Sequence, residues 1–141
     1  MTIKFKKFDP LAVIPSRKHE HDSGMDLYSV EARELAPGER YTFTTGIGAE
    51  IPEGYELQVR PRSGLASKCG IVAILGTIDR GYKGEIRVIL VNLSGSRYLV
   101  QVGDRIAQLV LARVELPTIE IVSELSQSDR GINGFGSTGE H

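Results

Sequence analysis

The sequence predicts an all-β fold, a single-domain β-sandwich or jelly roll. Three observations predict it: short runs of β-branched and aromatic residues, Gly or Pro closely spaced between them, and a length of 141 residues that suits one core. Apolar residues make up 40% of the chain and charged residues 25%, so one ordinary core and a solvated surface account for the composition. Gly or Pro falls at 37–38, 46, 48, 52, 54, 61, 64, 70, 76, 81, 84, 95 and 103, a rhythm that leaves little room for a long helix.

From the N-terminus, Met1 to Asp9 alternates Lys with Phe and Ile and has neither the continuous apolar stretch nor the small-residue cleavage site of a secretory leader. The expected location is cytoplasmic. Strands are expected over 41–45, 55–59, 71–75, 86–93, 97–100 and 105–114, where β-branched and aromatic side chains concentrate. Only Ser63 to Lys68 looks helical, for about one turn. Val88, Ile89, Leu90 and Val91 are apolar on both alternating faces, which predicts burial on both sides, between two sheets or against another subunit. No apolar stretch approaches the roughly 20 residues of a membrane helix. From Ser126 the composition turns to Ser, Gly, Asp, Arg and Asn, so the domain is expected over 1–125 and a flexible Gly-rich arm over 126–141.

Seventeen basic residues balance eighteen acidic ones, for a net charge of −1. Such a balance provides no general field for nucleic acid or an anionic membrane, and an anionic ligand must be held locally. Cys69 is the only cysteine, which excludes an intramolecular disulfide and a zinc ribbon and suits a small buried apolar residue.

Five segments hold residues suited to chemistry. In Ser23-Gly24-Met25-Asp26-Leu27-Tyr28-Ser29 the carboxylate of Asp26 lies between apolar neighbours, so it either caps backbone amides or faces a metal-bound water. In Arg60-Pro61-Arg62-Ser63-Gly64 a strand ends and a helical turn opens. There Arg62, the Ser63 hydroxyl and the first amides could converge on an anion, or Ser63 could be a plain N-cap. Gly76-Thr77-Ile78-Asp79-Arg80-Gly81-Tyr82 offers an acid and an aromatic three residues on. Asp79 either holds a water or bonds the backbone of its own turn. In Gly103 to Val110, Gln108 sits among apolar residues and needs a phosphate oxygen or a backbone group as partner. The last segment sets Arg130, Phe135, Gly136, Ser137 and Thr138 on Gly-rich backbone able to wrap an anion. His19 and His21 have a spacing that could clamp a metal, but in so charged a loop they are expected to be solvated.

Taken in order, these five segments resemble the five motifs of the trimeric dUTP pyrophosphatases (dUTPases), from about Ile14 to Gly139. The resemblance implies a distorted jelly roll of the β-clip type, assembled as a homotrimer. Each active site would draw motifs from different subunits, and the C-terminal arm of one would close over its neighbours. It further implies hydrolysis of dUTP to dUMP and pyrophosphate, which limits uracil in DNA and supplies dUMP for thymidylate synthesis. Asp79 would activate the water. Arg62, Ser63 and Gln108 would lie near the reacting phosphates, Arg130, Ser137 and Thr138 near the terminal one, with Phe135 stacked on the base and Gly64 and Gly136 completing the substrate-binding motifs. Tyr82 would pack on the sugar, and Asp26 would reach Mg²⁺ through water while the triphosphate holds the ion.

Three departures accompany the match. Gly81 stands where a second Asp is common, Asn133 where Gly is usual, and the segment between Gly70 and Gly76 is the shorter of two family lengths, without the Asn of longer members. Base selection is then expected from backbone groups around Gly76, Thr77, Ile78 and Asp79 and near Arg87. The nearest rival on the same fold is a dCTP deaminase, whose chains are longer and carry a further catalytic acid. A non-enzymatic dUTP-binding regulator is the rival from another class.

Overall fold

The computed structural model describes residues 1–139, so 140 and 141 of the expected arm lie outside the described residues. It shows an all-β domain with one short helix. In chain order the elements are β1 (Lys4–Lys7), β2 (Gly24–Tyr28), β3 (Arg33–Leu35), β4 (Arg40–Glu50), β5 (Tyr55–Arg60), α1 (Ser63–Cys69), β6 (Ile71–Ala73), β7 (Gly76–Ile78), β8 (Ile86–Asn92), β9 (Tyr98–Val100) and β10 (Arg105–Arg113). Two four-stranded antiparallel sheets, ordered β1-β4-β8-β6 and β2-β10-β5-β7, are joined by a small β3-β9 pair.

Strand alternation builds the core. Phe43 and Ile47 of β4 and Ile86, Val88 and Leu90 of β8 form one inward row, and Met25, Leu27, Leu57, Val59 and Leu109 form the other. Asn92 is the polar member of this interior. Its amide donates to the carbonyls of Leu35 (3.0 Å) and Ser96 (2.7 Å), and its oxygen accepts from the Ser94 amide (2.9 Å) and hydroxyl (2.7 Å). Those bonds satisfy the side chain and fix the turn that leads into β9.

Several expectations need correction. Within one chain β8 is buried on one face only, since Arg87 and Ile89 of the intervening row are exposed, which removes the two-sheet alternative and leaves cover by another subunit open. An apolar run therefore does not lie between two sheets of the same chain. The helix runs for two turns, to Cys69, because Gly70 adopts a left-handed conformation (φ 66°) that ends it there. Cys69 is half-buried rather than fully enclosed, packed against the edge of the core. Among the described residues no helix is long and apolar enough to cross a membrane.

Beyond β10 the described chain forms no further strand or helix, and its next stretch is unpacked. Leu116, Ile119, Ile121 and Leu125 are between 87% and 96% exposed. Four large apolar side chains in ten residues have no counterpart on their own chain.

Candidate active site

The register of the second sheet places the first cluster. Asp26 of β2 lies opposite Gln108 of β10, and Gln108 lies opposite Arg60 of β5, so one row of side chains crosses three strands. Beyond Arg60, Pro61 turns the chain into α1. There a cavity of about 400 Å³ is lined by Asp26, Arg62, Ser63, Gly64, Arg105 and Gln108, together with Lys18, Asp22, Ser23 and Gly24.

Each member is fixed by a specific partner. The Gln108 amide nitrogen donates to the Pro61 carbonyl at 2.9 Å, so a backbone group takes one donor of the amide. Gly24 leaves room for it, because a Cβ at that position would lie 1.9 Å from Gln108 Oε1. Asp26 caps no helix and bonds no backbone amide. Its Oδ1 lies 3.2 Å from Arg62 Nε and its Oδ2 3.4 Å from Arg105 Nη1. Ser63 is not an N-cap either: Arg62 occupies that position in an extended conformation, no side chain caps the helix, and the Ser63 hydroxyl is exposed toward the cavity. The first-turn amides of α1 are thus left without a side-chain acceptor, beside three cations. Behind Arg62, burial pushes the Tyr98 phenol up, reinforced by Cys69 and Asp104 and partly offset by Arg62.

The second cluster occupies the β7–β8 loop. A cavity of about 240 Å³ is lined by Thr77, Ile78, Asp79, Tyr82, Glu85 and Arg87, with Ile86 at its floor. The Asp79 backbone carbonyl, not its carboxylate, closes the turn by accepting from the Tyr82 amide at 3.0 Å. The carboxylate is exposed beside the cavity. The Tyr82 hydroxyl donates to the Glu85 carbonyl at 2.7 Å, and the side chain folds across Gly84, where a Cβ would lie 2.6 Å from the hydroxyl and 2.7 Å from ring Cζ. Gly84 is therefore what allows the ring to lie flat along the loop.

The two clusters stand apart within one chain. β7 runs antiparallel to β5, with Val59 opposite Gly76 and Leu57 opposite Ile78. Arg62 follows the end of β5 near Gly76, whereas Asp79 leaves β7 at the opposite end, so at least about 10 Å of strand separates them. The cavities share no residue.

The third group belongs to neither. Arg130 Nε donates to the Asn133 carbonyl at 2.8 Å, the Asn133 amide donates back to the Arg130 carbonyl at 3.2 Å, and Phe135 is fully exposed. Gly136, Ser137 and Thr138 are likewise exposed, in a chain of tight turns. Among the described residues, no group of three or more His, Cys, Asp and Glu side chains could hold a metal ion. His19 and Asp22 instead close a turn, the His19 amide donating to Asp22 Oδ2 at 2.9 Å.

Sequence reasoning missed Lys18, Asp22 and Arg105 on the first cavity and Glu85 on the second. Arg105 had a signal in its proximity to Gln108. Regular alternation, however, assigns residues three apart to opposite faces.

Comparison with known proteins follows the same residues. A protein-family model described as dUTPase matches residues 11–139. A deoxyuridine 5'-triphosphate nucleotidohydrolase from Clostridium acetobutylicum is 47% identical over 99% of this chain and 97% of its own. One from Clostridium novyi is 48% identical over 99% of each. Among solved structures, a mutant dUTPase of Staphylococcus bacteriophage 80alpha with dUpNHpp superposes with a TM-score of 0.92 at 31% identity, covering 98% of each chain. A dUTPase from phage phi11 of S. aureus, solved for the coordination of a structural Mg(II) ion, superposes at 0.85 with 27% identity, covering 90% of this chain and all of its own. With the family matched over nearly its whole length and the jelly-roll fold shared, this chain belongs to the dUTPase family.

Proposed function

We propose that this chain, as a dUTPase a hydrolase of dUTP, releases dUMP and pyrophosphate by in-line attack of water on the α-phosphorus, in sites shared between copies of a homotrimer. The observation that carries the shared-site reading is the division of its motif residues among two separate cavities and an exposed arm. One chain cannot bring Asp79 onto a phosphate held at Arg62. The exposed apolar residues at Ile89 and along 116–125 supply surface for such an assembly.

In this arrangement Arg62, Ser63, Gly64 and Gln108 hold the phosphates nearest the scissile bond. Asp79 of another copy takes a proton from the attacking water. General-base catalysis contributes only about 10² to 10⁴-fold, and an Asp with a reference pKa near 3.9 is a weak base, so most of the acceleration comes from charge stabilisation and alignment. The arm, residues 126–141, then closes, with Arg130, Ser137 and Thr138 on the terminal phosphate, Phe135 stacked on uracil and Gly136 giving the backbone its close approach. The donor set fits Mg²⁺ as an ion shared with the substrate: Asp22 and Asp26 are the carboxylates of the first cavity, and neither belongs to a protein cage. Bound there, the ion would supply charge neutralisation for the triphosphate, with Asp26 as the carboxylate that would face its bound water.

Base choice falls to β7. It is the edge strand of its sheet, so one face of its backbone keeps N–H and C=O groups free of the β5 ladder. Such a pair matches the N3 donor and O4 acceptor of uracil and mismatches cytosine, which can discriminate by about 10⁴-fold. The Tyr82 ring against the sugar leaves a 2′-hydroxyl without a partner, at a cost of about 1 to 3 kcal/mol.

Pyrophosphate release from dUTP, dCTP, dTTP and UTP, each with Mg²⁺ and with excess chelator, tests the proposal. Rapid, metal-dependent release from dUTP alone is the expected result. Ammonia from dCTP, or dUTP binding without turnover, would overturn it.

A further inference from the structure

β10 contains an irregularity whose effect is confined to the first cavity. Tyr28 faces Arg105, Leu27 faces Ala107 and Asp26 faces Gln108, so Ile106 is an extra residue in the ladder. Ile106 and Ala107 are both buried, and the flanking Arg105 and Gln108 consequently lie on the same outer face. On a regular strand they would lie on opposite faces. A bulge of this kind disrupts ladder pairing and re-aims a side chain, and here it turns Arg105 into the cavity.

Arg105 meets Asp26 there, and so does Arg62. The two carboxylate oxygens are divided between the guanidiniums, at 3.2 Å to Arg62 Nε and 3.4 Å to Arg105 Nη1. Arg62 Nη1 also donates to the Arg105 carbonyl at 3.3 Å. Neighbouring guanidiniums repel, and a carboxylate bridging them allows both to stay in one cavity. A single negative charge does not neutralise two positive ones, so the cluster retains attraction for an anion. Each guanidinium also keeps N–H donors beyond those committed to Asp26 and the backbone.

We propose that Arg105 is a second phosphate-contacting arginine of this pocket, and that Asp26 is a positioning residue that holds Arg62 and Arg105 side by side. Two planar forks spaced by one carboxylate suit adjacent phosphoryl groups, so the pair selects a nucleoside diphosphate or triphosphate over a monophosphate. The proposal rests on the assignment of the first cavity to the triphosphate.

The test is equilibrium binding, by calorimetry on the full chain, of dUMP and of a non-hydrolysable imido analogue of dUTP, each with Mg²⁺ and with chelator. Arg105→Gln is expected to weaken the analogue by about tenfold or more and dUMP by less than about twofold. Arg105→Lys, which restores charge without the fork, recovers part of the loss and serves as the test by itself should the Gln variant fail to fold. Asp26→Asn weakens the analogue with and without Mg²⁺, and by less when Arg105→Gln is already present. Unchanged analogue binding in both Arg105 variants, with a loss in Arg62→Gln, would overturn the proposal and leave the triphosphate assignment standing. No loss in any of the arginine variants would overturn that assignment as well. An Asp26→Asn effect confined to the Mg²⁺ arm would show that Asp26 acts on the ion alone, and would overturn its added role in positioning the two arginines.

Discussion

Asp79 is exposed on the β7–β8 loop, and its carboxylate closes no turn. A carboxylate so placed is available to a water and a substrate brought by another surface. Asp79→Asn keeps the shape and removes the base, so turnover should fall by about 10²-fold or more while affinity for a non-hydrolysable dUTP analogue stays nearly unchanged. Retained turnover in single-turnover assays would remove Asp79 from the mechanism. At this scale the sequence was informative about chemistry and poor on partners. Asp26 and Gln108 stood out because a polar group among apolar neighbours needs an explanation, and Tyr82 because it is an aromatic three residues after an acid. What satisfies the first two came from distant segments, Arg62 for Asp26 and the Pro61 carbonyl for Gln108, whereas the Tyr82 hydroxyl is held within its own loop by the Glu85 carbonyl.

The elements that were legible are those where β-branched and aromatic residues concentrate, β5, β6, β8, β9, β10 and the first half of β4. β1, β2, β3 and β7 were not, because Gly or charged residues interrupt their three to five positions, unlike the equally short β6 and β9. β2 shows the loss most clearly, since Met25 and Leu27 point inward while Gly24, Asp26 and Tyr28 line the outer face. The β3–β4 corner makes a prediction about acid. Partial burial pushes the Glu31 carboxyl up, but hydrogen bonds from Thr44 and Tyr41 and the charge of Arg33 bring it below the ordinary value. The bond from Arg33 and the Ala36 amide lower Glu39 as well. Folding depresses both carboxyls, so their contribution is complete above the unfolded value near 4.3 and fades as pH falls through the folded values. Melting temperature should therefore drop below about pH 4, and Glu31→Gln should flatten that slope. A slope unchanged in that variant would assign the acid sensitivity elsewhere. For the arm, removal of residues from Gly131 onward should leave the melting temperature within about 2 °C, since they touch no core, and reduce dUTP turnover by about 10²-fold or more. Undiminished turnover would contradict closure.

Across the whole molecule, the sequence expectation of a strand covered on both faces and the structure's exposed outer row on β8 agree only if a second copy covers that row. The chain segment over 116–125 has the same need, with Ile119 and Ile121 at 90% and 96% exposure. Light scattering should give a mass of about three times 15.4 kDa; a monomer would leave these surfaces unexplained. The most direct test of a site assembled between copies is complementation. Asp79→Asn and Arg62→Gln chains, each inactive alone, are unfolded together, refolded as mixed trimers and assayed for pyrophosphate release from dUTP. If Asp79 and Arg62 reach each site from different copies, about a quarter of the sites in an equal mixture regain both residues, and activity returns to about that fraction of the unsubstituted protein. Activity no greater than the sum of the two separate variants would show that a single chain supplies both residues and would contradict the account.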